Sequence, residues 1–243
     1  MKRGLFTVEV NEKLAPGTFR MVLAGDTSAI TGPGQFVNIA LEGKFLRRPI
    51  SVCDYAEGSL TIVYKVVGKG TEQMSGMTAG TVLDILTGLG NGYDLDKSGQ
   101  TPLLIGGGAG VPPMYNLARK LVSQGKQPSV ILGFNKAEEL FLKEEFEALG
   151  VAVTVATADG SLGVKGFVTD AMPAEGYTHI YTCGPEPMLK AIYDKSVTSG
   201  QFSFEERMGC GFGACMGCTC KTKYGNKRIC REGPVLEKEE IIW

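Results

Sequence analysis

A group of cysteines near the end of the chain provides the clearest chemistry in the sequence. Five of the seven cysteines lie between residues 210 and 230. Three of them have the spacing C-x4-C-x2-C, which is typical of plant-type iron–sulfur sites, and such a site needs a fourth cysteine farther along the chain. The spacing therefore predicts a 2Fe-2S cluster whose four ligands are Cys210, Cys215, Cys218 and Cys230.

Glycines separate these cysteines and suit the tight loop that four thiolates around two irons require. Gly211, Gly213 and Gly217 can adopt backbone conformations that other residues resist. They would also let backbone N–H groups approach the sulfur atoms, which is one determinant of a cluster's reduction potential.

Other interpretations of the thiols remain open. A disulfide framework is typical of small secreted domains, and the sequence shows no signal peptide. A structural zinc site can use a CxxC pair and further thiols, but such sites usually have two separated pairs, and Cys230 has no close partner. Inert buried thiols would be unusual at this density. Cys220 shares a face with Cys218 on a short extended segment, so its position does not exclude it as a ligand.

The composition argues against several classes of function. The chain has 243 residues and a net charge of −1, which gives no electrostatic reason to expect nucleic acid or anionic lipid as a partner. No apolar run approaches the roughly 20 residues that a membrane span requires. We therefore expect a cytoplasmic protein with no nucleic-acid or membrane partner, whose cysteines bind metal rather than form disulfides.

Residues 1–98 contain short alternating or apolar runs separated by turn residues, a pattern typical of an antiparallel barrel or sandwich. One short helix, Gly70–Met77, is predicted between the last two strands. The predicted strands are Phe6–Val10, Thr18–Leu23, Phe36–Leu41, Ile50–Asp54, Leu60–Val67 and Thr81–Leu86.

Two segments of these residues could bind a phosphate-bearing cofactor. In Leu46-Arg-Arg-Pro-Ile-Ser51, an arginine fork could hold a phosphate through two hydrogen bonds while the serine donates another. In Val63–Thr71, a strand passes through Gly68-Lys-Gly-Thr71 into a helix, whose N-terminus could receive a pyrophosphate. A solvated arginine pair and a plain strand-to-helix turn are the alternative interpretations.

Residues 99–200 alternate strands with helices, which predicts a parallel sheet. The first strand ends in a glycine-rich turn where dinucleotide-binding folds place their ligand, and a later strand ends in Cys-Gly at the same sheet edge. Cys183 could face a nicotinamide ring there, although an inert buried thiol is the alternative. The predicted helices are Pro113–Ser123, Ala137–Leu149 and Pro185–Val197. The candidate NAD contacts are Gly107, Gly108, Gly110, Cys183 and Gly184.

The single histidine offers no catalytic or metal-binding function. His179 lies in an apolar strand, which indicates a core residue with a satisfied side chain. With no second histidine, neither a catalytic triad nor a histidine-ligated metal site has support.

The order of these parts resembles the ferredoxin-reductase superfamily, in which a β-barrel and a nucleotide-binding domain are joined to an iron–sulfur module. More narrowly, nearly the whole chain resembles the electron-transfer subunits of type 1B dihydroorotate dehydrogenases. The cysteine block together with the Arg-Pro-x-Ser strand makes the resemblance specific. The motifs that carry it are Leu46-Arg-Arg-Pro-Ile-Ser51, Gly68-Lys-Gly-Thr71, Leu89-Gly-Asn-Gly92, Gly106-Gly-Gly-x-Gly110, Cys183-Gly-Pro-x-Pro-Met188 and Glu206-Arg-Met-x-Cys210 with the cysteines after it.

The resemblance implies three parts: an FAD-binding barrel at 1–98, an NAD-binding α/β domain at 99–200 and a plant-type 2Fe-2S module at 201–243. It implies the same four cluster ligands as the spacing does. Lys65 stands where we expect an arginine, and lysine keeps the charge but lacks the fork that grips a phosphate. The implied FAD contacts are Arg48, Pro49, Ile50, Ser51, Val63, Tyr64, Lys65, Gly70 and Thr71.

The resemblance also implies a function in pyrimidine biosynthesis. Such a subunit passes electrons from a partner, the FMN-containing dihydroorotate dehydrogenase catalytic subunit, through the 2Fe-2S cluster and FAD to NAD+. The expected assembly is a heterotetramer with two copies of each chain. The partner's TIM barrel needs about 250 residues, which this chain does not have beside its other parts. The alternatives are an NAD(P)H-dependent ferredoxin reductase-type subunit and, in another class, a nucleotide- and zinc-binding regulatory module.

The ligand assignment predicts opposite outcomes for two neighbouring cysteines. Cys220→Ser should keep the cluster, whereas Cys218→Ser should lose or badly destabilise it, because only Cys218 fits the ligand spacing. Iron and sulfide content and the visible absorption spectrum of the purified variants check this. The reverse result would break the assignment.

Overall fold

Six antiparallel strands at the start of the chain close into a barrel in the order β1-β2-β5-β4-β3-β6, in a computed structural model that describes residues 1–243. The sequence left a barrel and a sandwich open, and the structure is a barrel. The strands are β1 (Lys2–Ala15), β2 (Thr18–Ala24), β3 (Phe36–Ile39), β4 (Arg48–Ala56), β5 (Ser59–Lys65) and β6 (Val82–Leu89).

Strand β3 shows how a barrel strand divides its contacts between two faces. Val37 and Ile39 are buried in the barrel core, whereas Phe36 packs in a different hydrophobic cluster with Ile105 and Phe202 from beyond the barrel. Successive side chains of a strand point to opposite faces, which explains the division. The outer face of β3 is therefore an interface with the rest of the chain.

A seven-stranded sheet follows in the order β10-β9-β8-β7-β11-β12-β15, and every neighbouring pair is parallel except β12 with β15. The predicted parallel sheet is confirmed. A separate hairpin is formed by β13 and β14. The strands are β7 (Leu103–Gly107), β8 (Ser129–Phe134), β9 (Ala152–Thr157), β10 (Val164–Lys165), β11 (Ile180–Cys183), β12 (Gly200–Ser203), β13 (Thr219–Thr222), β14 (Gly225–Arg228) and β15 (Val235–Glu237).

The longest helix begins directly after the glycine-rich turn. Prolines occupy its first positions, where the missing N–H group has no helical partner to lose. Leu117 and Leu121 lie on its buried face. None of the helices is long and apolar enough to cross a membrane. The four α-helices are α1 (Lys69–Ser75), α2 (Val111–Ser123), α3 (Lys143–Ala148) and α4 (Glu186–Lys195).

The helix predicted over Ala137–Leu149 is wrong in its extent. The structure has a short 3-10 helix at Ala137–Glu139, and α3 begins only at Lys143. Between them, Leu142 has a φ of +64°, a left-handed conformation that a right-handed helix cannot contain. Leu142 is buried in the core. Tertiary packing of this side chain therefore outweighs the local helix preference.

Both ends of the cysteine segment are held in the sheet. Strand β12 precedes the cysteines and β15 follows them, and the two strands pair with each other through Phe202 and Leu236. Strand β12 also pairs in parallel with β11. Residues 201–203 and 235–237 thus belong to the sheet, although the sequence placed them with the cluster module. The domain boundaries at residues 98 and 200 stay predictions.

A cluster of polar side chains joins the barrel to α2. Arg119 forms an ion pair with Asp54, in which Nη2 lies 2.6 Å from Oδ1 of the carboxylate, and it donates a hydrogen bond from Nη2 to the Tyr55 carbonyl oxygen at 2.9 Å. Asn116, which is fully buried, donates from Nδ2 to the same carboxylate at 2.5 Å. Asp54 therefore fixes the orientation of the barrel against the helix that follows the glycine-rich turn.

Removing this carboxylate should destabilise the protein. Asp54→Ala leaves Arg119 and the buried Asn116 amide without their acceptor, and we expect a loss of about 1–2 kcal/mol in the free energy of unfolding. Asp26→Ala is the control, because it breaks an exposed pair with Lys2 and should have little effect. Urea unfolding curves of both variants check this. Equal effects would contradict a role for Asp54 at the interface.

Candidate functional site

A cavity of about 330 Å³ opens between the barrel and the sheet. Barrel residues line one side of this cavity, and Ala109 of the glycine-rich turn and Cys183 at the end of β11 line the opposite side. The structure thus brings the two motifs of the barrel and the two motifs of the sheet to one place. The predicted FAD contacts that line the cavity are Arg48, Pro49, Ile50, Ser51, Val63, Tyr64, Lys65 and Thr71.

Gly70 does not line the cavity but makes room for an arginine that does. A Cβ atom on Gly70 would lie 2.2 Å from Nε of Arg48. The guanidinium therefore rests against the start of α1, and its Nη1 donates a hydrogen bond to the Leu46 carbonyl oxygen. A planar cation held in this way at the cavity wall is suited to bind a phosphate.

Thr71 closes the turn before α1. Its Oγ1 accepts the backbone N–H groups of Val67 at 2.9 Å and of Gly68 at 3.3 Å. These two N–H groups already have a partner within the protein, so they are not free donors for a ligand. Arg48 and Lys65 are the cations that the barrel presents at this cavity, and only Arg48 has the planar fork for a bidentate phosphate contact.

Lys65 lies where the cavity meets the sheet domain. Its Nζ is 3.8 Å from Oε1 of Glu139, and its side chain is half exposed. Lys65 also borders a small neighbouring cavity that Gly108 lines. The amine can therefore reach a ligand on either the barrel side or the glycine-turn side.

Cys183 is a neutral thiol at the cavity wall. Burial, assisted by the nearby Glu205 carboxylate, raises the pKa of the Cys183 thiol to about 12. Desolvation by surrounding protein atoms also raises the pKa of Glu205, which lines the same cavity. Because the thiol stays protonated at neutral pH, it can pack against or donate a weak hydrogen bond to a ligand but cannot act as a thiolate.

The glycine-rich turn packs directly on the turn that follows β11. A Cβ atom on Gly110 would lie 2.1 Å from the Cys183 carbonyl oxygen, and one on Gly107 would lie 2.4 Å from Sδ of Met188. Gly184 is equally close to the same methionine. Gly108, in contrast, has a φ of +51° and open space at its Cβ position. Of these four glycines, Gly108 alone has open space at its Cβ position, and Gly184 lines a separate cavity of about 290 Å³.

The cysteine loop directs backbone N–H groups at sulfur atoms. The Sγ of Cys210 accepts N–H groups from Phe212, Ala214 and Cys215 at 3.2–3.5 Å. Partial burial acts to raise the pKa of Cys210, but these donors outweigh it and lower the pKa to about 6. Gly211 and Gly213 have positive φ, as the glycine spacing predicted, whereas Gly217 does not. The turn thus stabilises negative charge on the Cys210 sulfur, whereas burial raises the pKa of the Cys230 thiol to about 12.

The four predicted ligands form two neighbouring pairs. The backbone N–H groups of Cys210 and Cys215 donate to each other's sulfur atoms, both at 3.4 Å. The N–H group of Cys230 donates to the sulfur of Cys218, also at 3.4 Å. No three Cys, His, Asp or Glu side chains converge closely enough to surround a single metal ion. The structure therefore groups the thiols two by two.

Cys220 lies apart from these sulfur–amide contacts. It is on strand β13 and lines a separate cavity of about 290 Å³ together with Trp243 and Lys221. Burial raises the pKa of its thiol, with a smaller contribution from the Glu206 carboxylate. This environment differs from that of Cys210, where N–H donors favour the thiolate.

Several cavity residues could not be recognised from the sequence. They come from β3, from the segment between β5 and α1, from the segment that leads into the cysteines and from the turn before β15. Val67, Glu206 and Met208 lie within motifs that the sequence singled out but were not predicted to contact FAD, and no local motif marks the others. The residues that sequence reasoning missed are Phe36, Val67, Ser203, Phe204, Glu205, Glu206, Met208 and Pro234.

The single histidine lies in the core, as the sequence indicated, but its side chain is not fully satisfied, because Nε2 is buried without a hydrogen-bond partner. His179 is buried, its Nδ1 lies 3.2 Å from Oγ of Ser199, and its ring packs edge-on against Tyr181. Burial lowers its pKa to about 4, so the ring is neutral at physiological pH. It lines neither of the larger cavities.

Two family models match parts of the chain. Residues 104–194 match a model described as an oxidoreductase NAD-binding domain. Residues 205–242 match a model described as the iron–sulfur cluster binding domain of dihydroorotate dehydrogenase B. The two matches cover the glycine-rich and Cys183 turns and the whole cysteine segment.

Solved structures share the arrangement of the domains. The structure described as an NADH-dependent reduced ferredoxin-NADP oxidoreductase is 30% identical, has a TM-score of 0.89, and the alignment covers 98% of this chain and 90% of that one. A ferredoxin reductase in carbazole 1,9a-dioxygenase has a TM-score of 0.71 at 22% identity, covering 79% and 64% of the two chains. The second similarity shows the fold alone.

Curated relatives are similar over almost their full length. A protein of Fusobacterium nucleatum subsp. nucleatum is 44% identical over 97% of this chain and 96% of its own. A protein of Bacillus pumilus is 41% identical over 99% of this chain and 98% of its own. Both are named dihydroorotate dehydrogenase B (NAD(+)), electron transfer subunit. With identity this high over this length, the chain belongs to the family of dihydroorotate dehydrogenase B electron transfer subunits.

Proposed function

We propose that this protein transfers electrons from a 2Fe-2S cluster through FAD to NAD+, as the electron-transfer subunit of an NAD-dependent dihydroorotate dehydrogenase. One observation carries the proposal. The cavity walled by Arg48 and Tyr64 of the barrel is also lined by Cys183 of the sheet domain and by Met208, two residues before the first cluster cysteine. A flavin bound there would border both the nucleotide site and the cluster loop.

The cavity has the properties that FAD requires. Arg48 supplies a fixed cation for the pyrophosphate, and Ser51 adds a hydroxyl donor on the same strand. Tyr64 and Phe36 supply aromatic surface for the flavin ring. Pockets for small ligands combine predominantly apolar walls with a few placed polar groups in this way. The nine predicted barrel contacts are therefore our proposed FAD site.

The cysteine loop suits a two-iron cluster better than a zinc ion. A structural zinc ion needs four ligands around one point, each sulfur about 2.3 Å away. A 2Fe-2S cluster instead takes two cysteines on each iron, which agrees with the pairing of Cys210 with Cys215 and of Cys218 with Cys230. The N–H donors on these sulfurs would also compensate the charge of four thiolates. We therefore propose these four cysteines as the cluster ligands.

The nicotinamide nucleotide would bind on the sheet side of the cavity. Gly108 has open space for the close approach of a phosphate, while Gly107, Gly110 and Gly184 shape the site by allowing its two turns to pack. Cys183 presents a neutral thiol at the same edge. We propose that these five residues bind and orient NAD+, with Gly108 in direct contact.

FAD supplies chemistry that accepts electrons singly and releases them as a hydride, which is why it fits between a cluster and NAD+. The protein supplies geometry and electrostatics. Arg48 neutralises the cofactor's phosphate charge, and the N–H groups of the cysteine loop stabilise sulfur charge. The protonated thiol of Cys183 adds no negative charge that would oppose a hydride transfer to a nearby nicotinamide.

The partner would dock at the cysteine loop. Phe212 and Met216 of this loop are exposed apolar side chains, and most of the loop backbone lies at the surface. Exposed apolar side chains at a redox centre are suited to an interface that excludes water. We propose that the FMN-containing dihydroorotate dehydrogenase catalytic subunit binds here, in a cytoplasmic heterotetramer with two copies of each chain.

A direct assay tests the function. The purified chain should show flavin bands and a broad iron–sulfur shoulder in its absorption spectrum. Mixed with the FMN-containing catalytic subunit of the same organism, it should couple the oxidation of dihydroorotate to the formation of NADH. Oxidation of dihydroorotate by this chain alone would contradict the proposal, as would a colourless protein rich in zinc.

The same assay distinguishes this function from that of a reductase, in which electrons leave NAD(P)H instead of arriving at NAD+. A reductase would pass electrons from NAD(P)H to a ferredoxin, and the structure at 30% identity carries such a description. Comparing the rate with dihydroorotate and the catalytic subunit against the rate with NADPH and ferredoxin distinguishes the two. We expect the first rate to exceed the second.

The FAD site predicts different outcomes for two glycines of one turn. In Gly70→Ala the added methyl group displaces the Arg48 guanidinium, and we expect FAD to bind about tenfold more weakly, the value of one charge-assisted hydrogen bond. Gly68→Ala is the matched control, because its Cβ would meet nothing within 4 Å. Fluorescence titration of the apoprotein with FAD measures both. Equal affinities would contradict the assignment of Arg48.

A further inference from the structure

Asn38 is a buried polar residue at a position where the barrel meets the cysteine loop. It lies on β3, where neighbouring Val37 and Ile39 fill the barrel core, so its side chain points outward. Only 1% of its surface is exposed. The loop around Cys210 lies directly against this side chain.

A single hydrogen bond joins this side chain to the first cluster cysteine. Nδ2 of Asn38 donates to the carbonyl oxygen of Cys210 at 3.1 Å. The orientation of the amide is determined, because a carbonyl oxygen can only accept and therefore requires the NH2 group to face it. Oδ1 of Asn38 is consequently turned away and has no hydrogen-bond partner in the protein.

The backbone of the cysteine loop approaches Asn38 so closely that a glycine is required. A Cβ atom on Gly211 would lie 2.3 Å from Nδ2 of Asn38, and Gly211 has a φ of +79°. From this point the loop turns back, so that Phe212 and Ala214 direct their N–H groups at the sulfur of Cys210. The contact with Asn38 thus lies at the start of the turn that orients these N–H groups.

Asn38 also belongs to the wall of the flavin cavity through its neighbours. Phe36, two residues earlier on the same face of β3, lines the cavity. Pro49, which is opposite Asn38 on β4, lines it as well. The backbone carbonyl of Asn38 accepts a hydrogen bond from Nη1 of Arg47 at 3.2 Å, which fixes the strand on its other edge.

A residue with only a packing role would not need this chemistry. An unpaired buried oxygen is destabilising, and an apolar residue of similar size would cover the barrel without that cost. What the amide provides, and a leucine cannot, is a directional bond from the flavin-binding strand to a cluster ligand. The amide of Asn38 therefore serves to position the Cys210 backbone relative to β3.

We propose that Asn38 is a positioning residue that sets the geometry between the flavin site and the cluster. By holding the Cys210 carbonyl, it fixes the turn whose N–H groups bind the Cys210 sulfur, and it ties that turn to the strand that borders the flavin. Both the coupling between FAD and the cluster and the reduction potential of the cluster depend on this bond. The proposal rests on the function proposed above.

The test uses the complete cofactor-loaded chain and three measurements. In Asn38→Leu, electron transfer to the cluster after NADH reduction should slow about two- to tenfold in stopped-flow experiments, the range expected for one hydrogen bond. The midpoint potential of the cluster, followed by electron paramagnetic resonance, should shift. Hydrogen exchange at the Phe212, Ala214 and Cys215 amides should accelerate by a similar factor.

Asn91→Leu is the matched control. Asn91 also bridges the barrel and the cysteine segment, donating from Nδ2 to the carbonyl oxygen of Val235 at 2.7 Å and accepting the N–H group of the same residue at 3.1 Å. Its Nδ2 also donates to the carbonyl oxygen of Glu232 at 3.2 Å, but it has no hydrogen bond to a cluster cysteine. Its variant should lose stability while the cluster potential and the exchange of the three loop amides stay at wild-type values.

Two further variants keep the test decisive if Asn38→Leu fails to fold. Asn38→Asp has the same shape but presents an acceptor to the Cys210 carbonyl while it is ionised. Asn38→Ala removes the donor without adding a side chain that must repack against the loop, and it should show the same slower transfer, shifted cluster potential and faster amide exchange as Asn38→Leu. Wild-type values of all three in Asn38→Asp and Asn38→Ala would overturn the proposal.

The remaining outcomes also decide the question. Wild-type rate and potential in Asn38→Leu, or the same changes in Asn91→Leu, would show that Asn38 only packs the interface. A wild-type chain that binds no FAD or cluster, or that does not pass electrons from NADH to the cluster, would instead refute the proposed function. The two failures are therefore distinguishable.

Discussion

Backbone pairing of the strands on either side of the cysteine segment is the constraint on which the rest of the site depends. Strand β12 enters the segment and β15 leaves it, and both are hydrogen-bonded into the sheet beside β11. The cysteine-bearing stretch between them has little hydrophobic core of its own. Its position is therefore set by the sheet, and Cys183 at the end of β11 lies beside the residues that lead into the cluster loop.

Close glycine contacts bring the remaining parts to this edge. Gly110 allows the nucleotide turn to touch the Cys183 carbonyl, Gly70 allows Arg48 to lie on α1, and Gly211 allows the cysteine loop to reach Asn38. Each contact joins segments that are far apart in the chain. The result is one cavity bordered by the barrel, by Ala109 of the nucleotide turn and by the segment that leads into the cysteine loop, as the proposed electron path requires.

The charged and neutral groups of the site are also distributed between these parts. A cation at Arg48 and N–H donors around the Cys210 sulfur are placed where the proposed FAD phosphates and cluster would bring negative charge. The thiol of Cys183 is kept neutral by burial, with its pKa raised to about 12. Burial thus keeps the Cys183 thiol uncharged at the nucleotide edge, whereas N–H donors favour the thiolate of Cys210 in the loop.

The sequence by itself determined the order of the parts, the barrel strands and the four cysteines at ligand spacing, because these features depend on local periodicity and on residue spacing. It did not reveal the break before α3, where burial of Leu142 opposes the local helix pattern. Nor did it reveal Phe36, Asn38 or Glu205, whose roles come from contacts across the chain. Only the tertiary structure decided which residues meet at the cavity, because packing between distant segments leaves no periodic pattern in sequence.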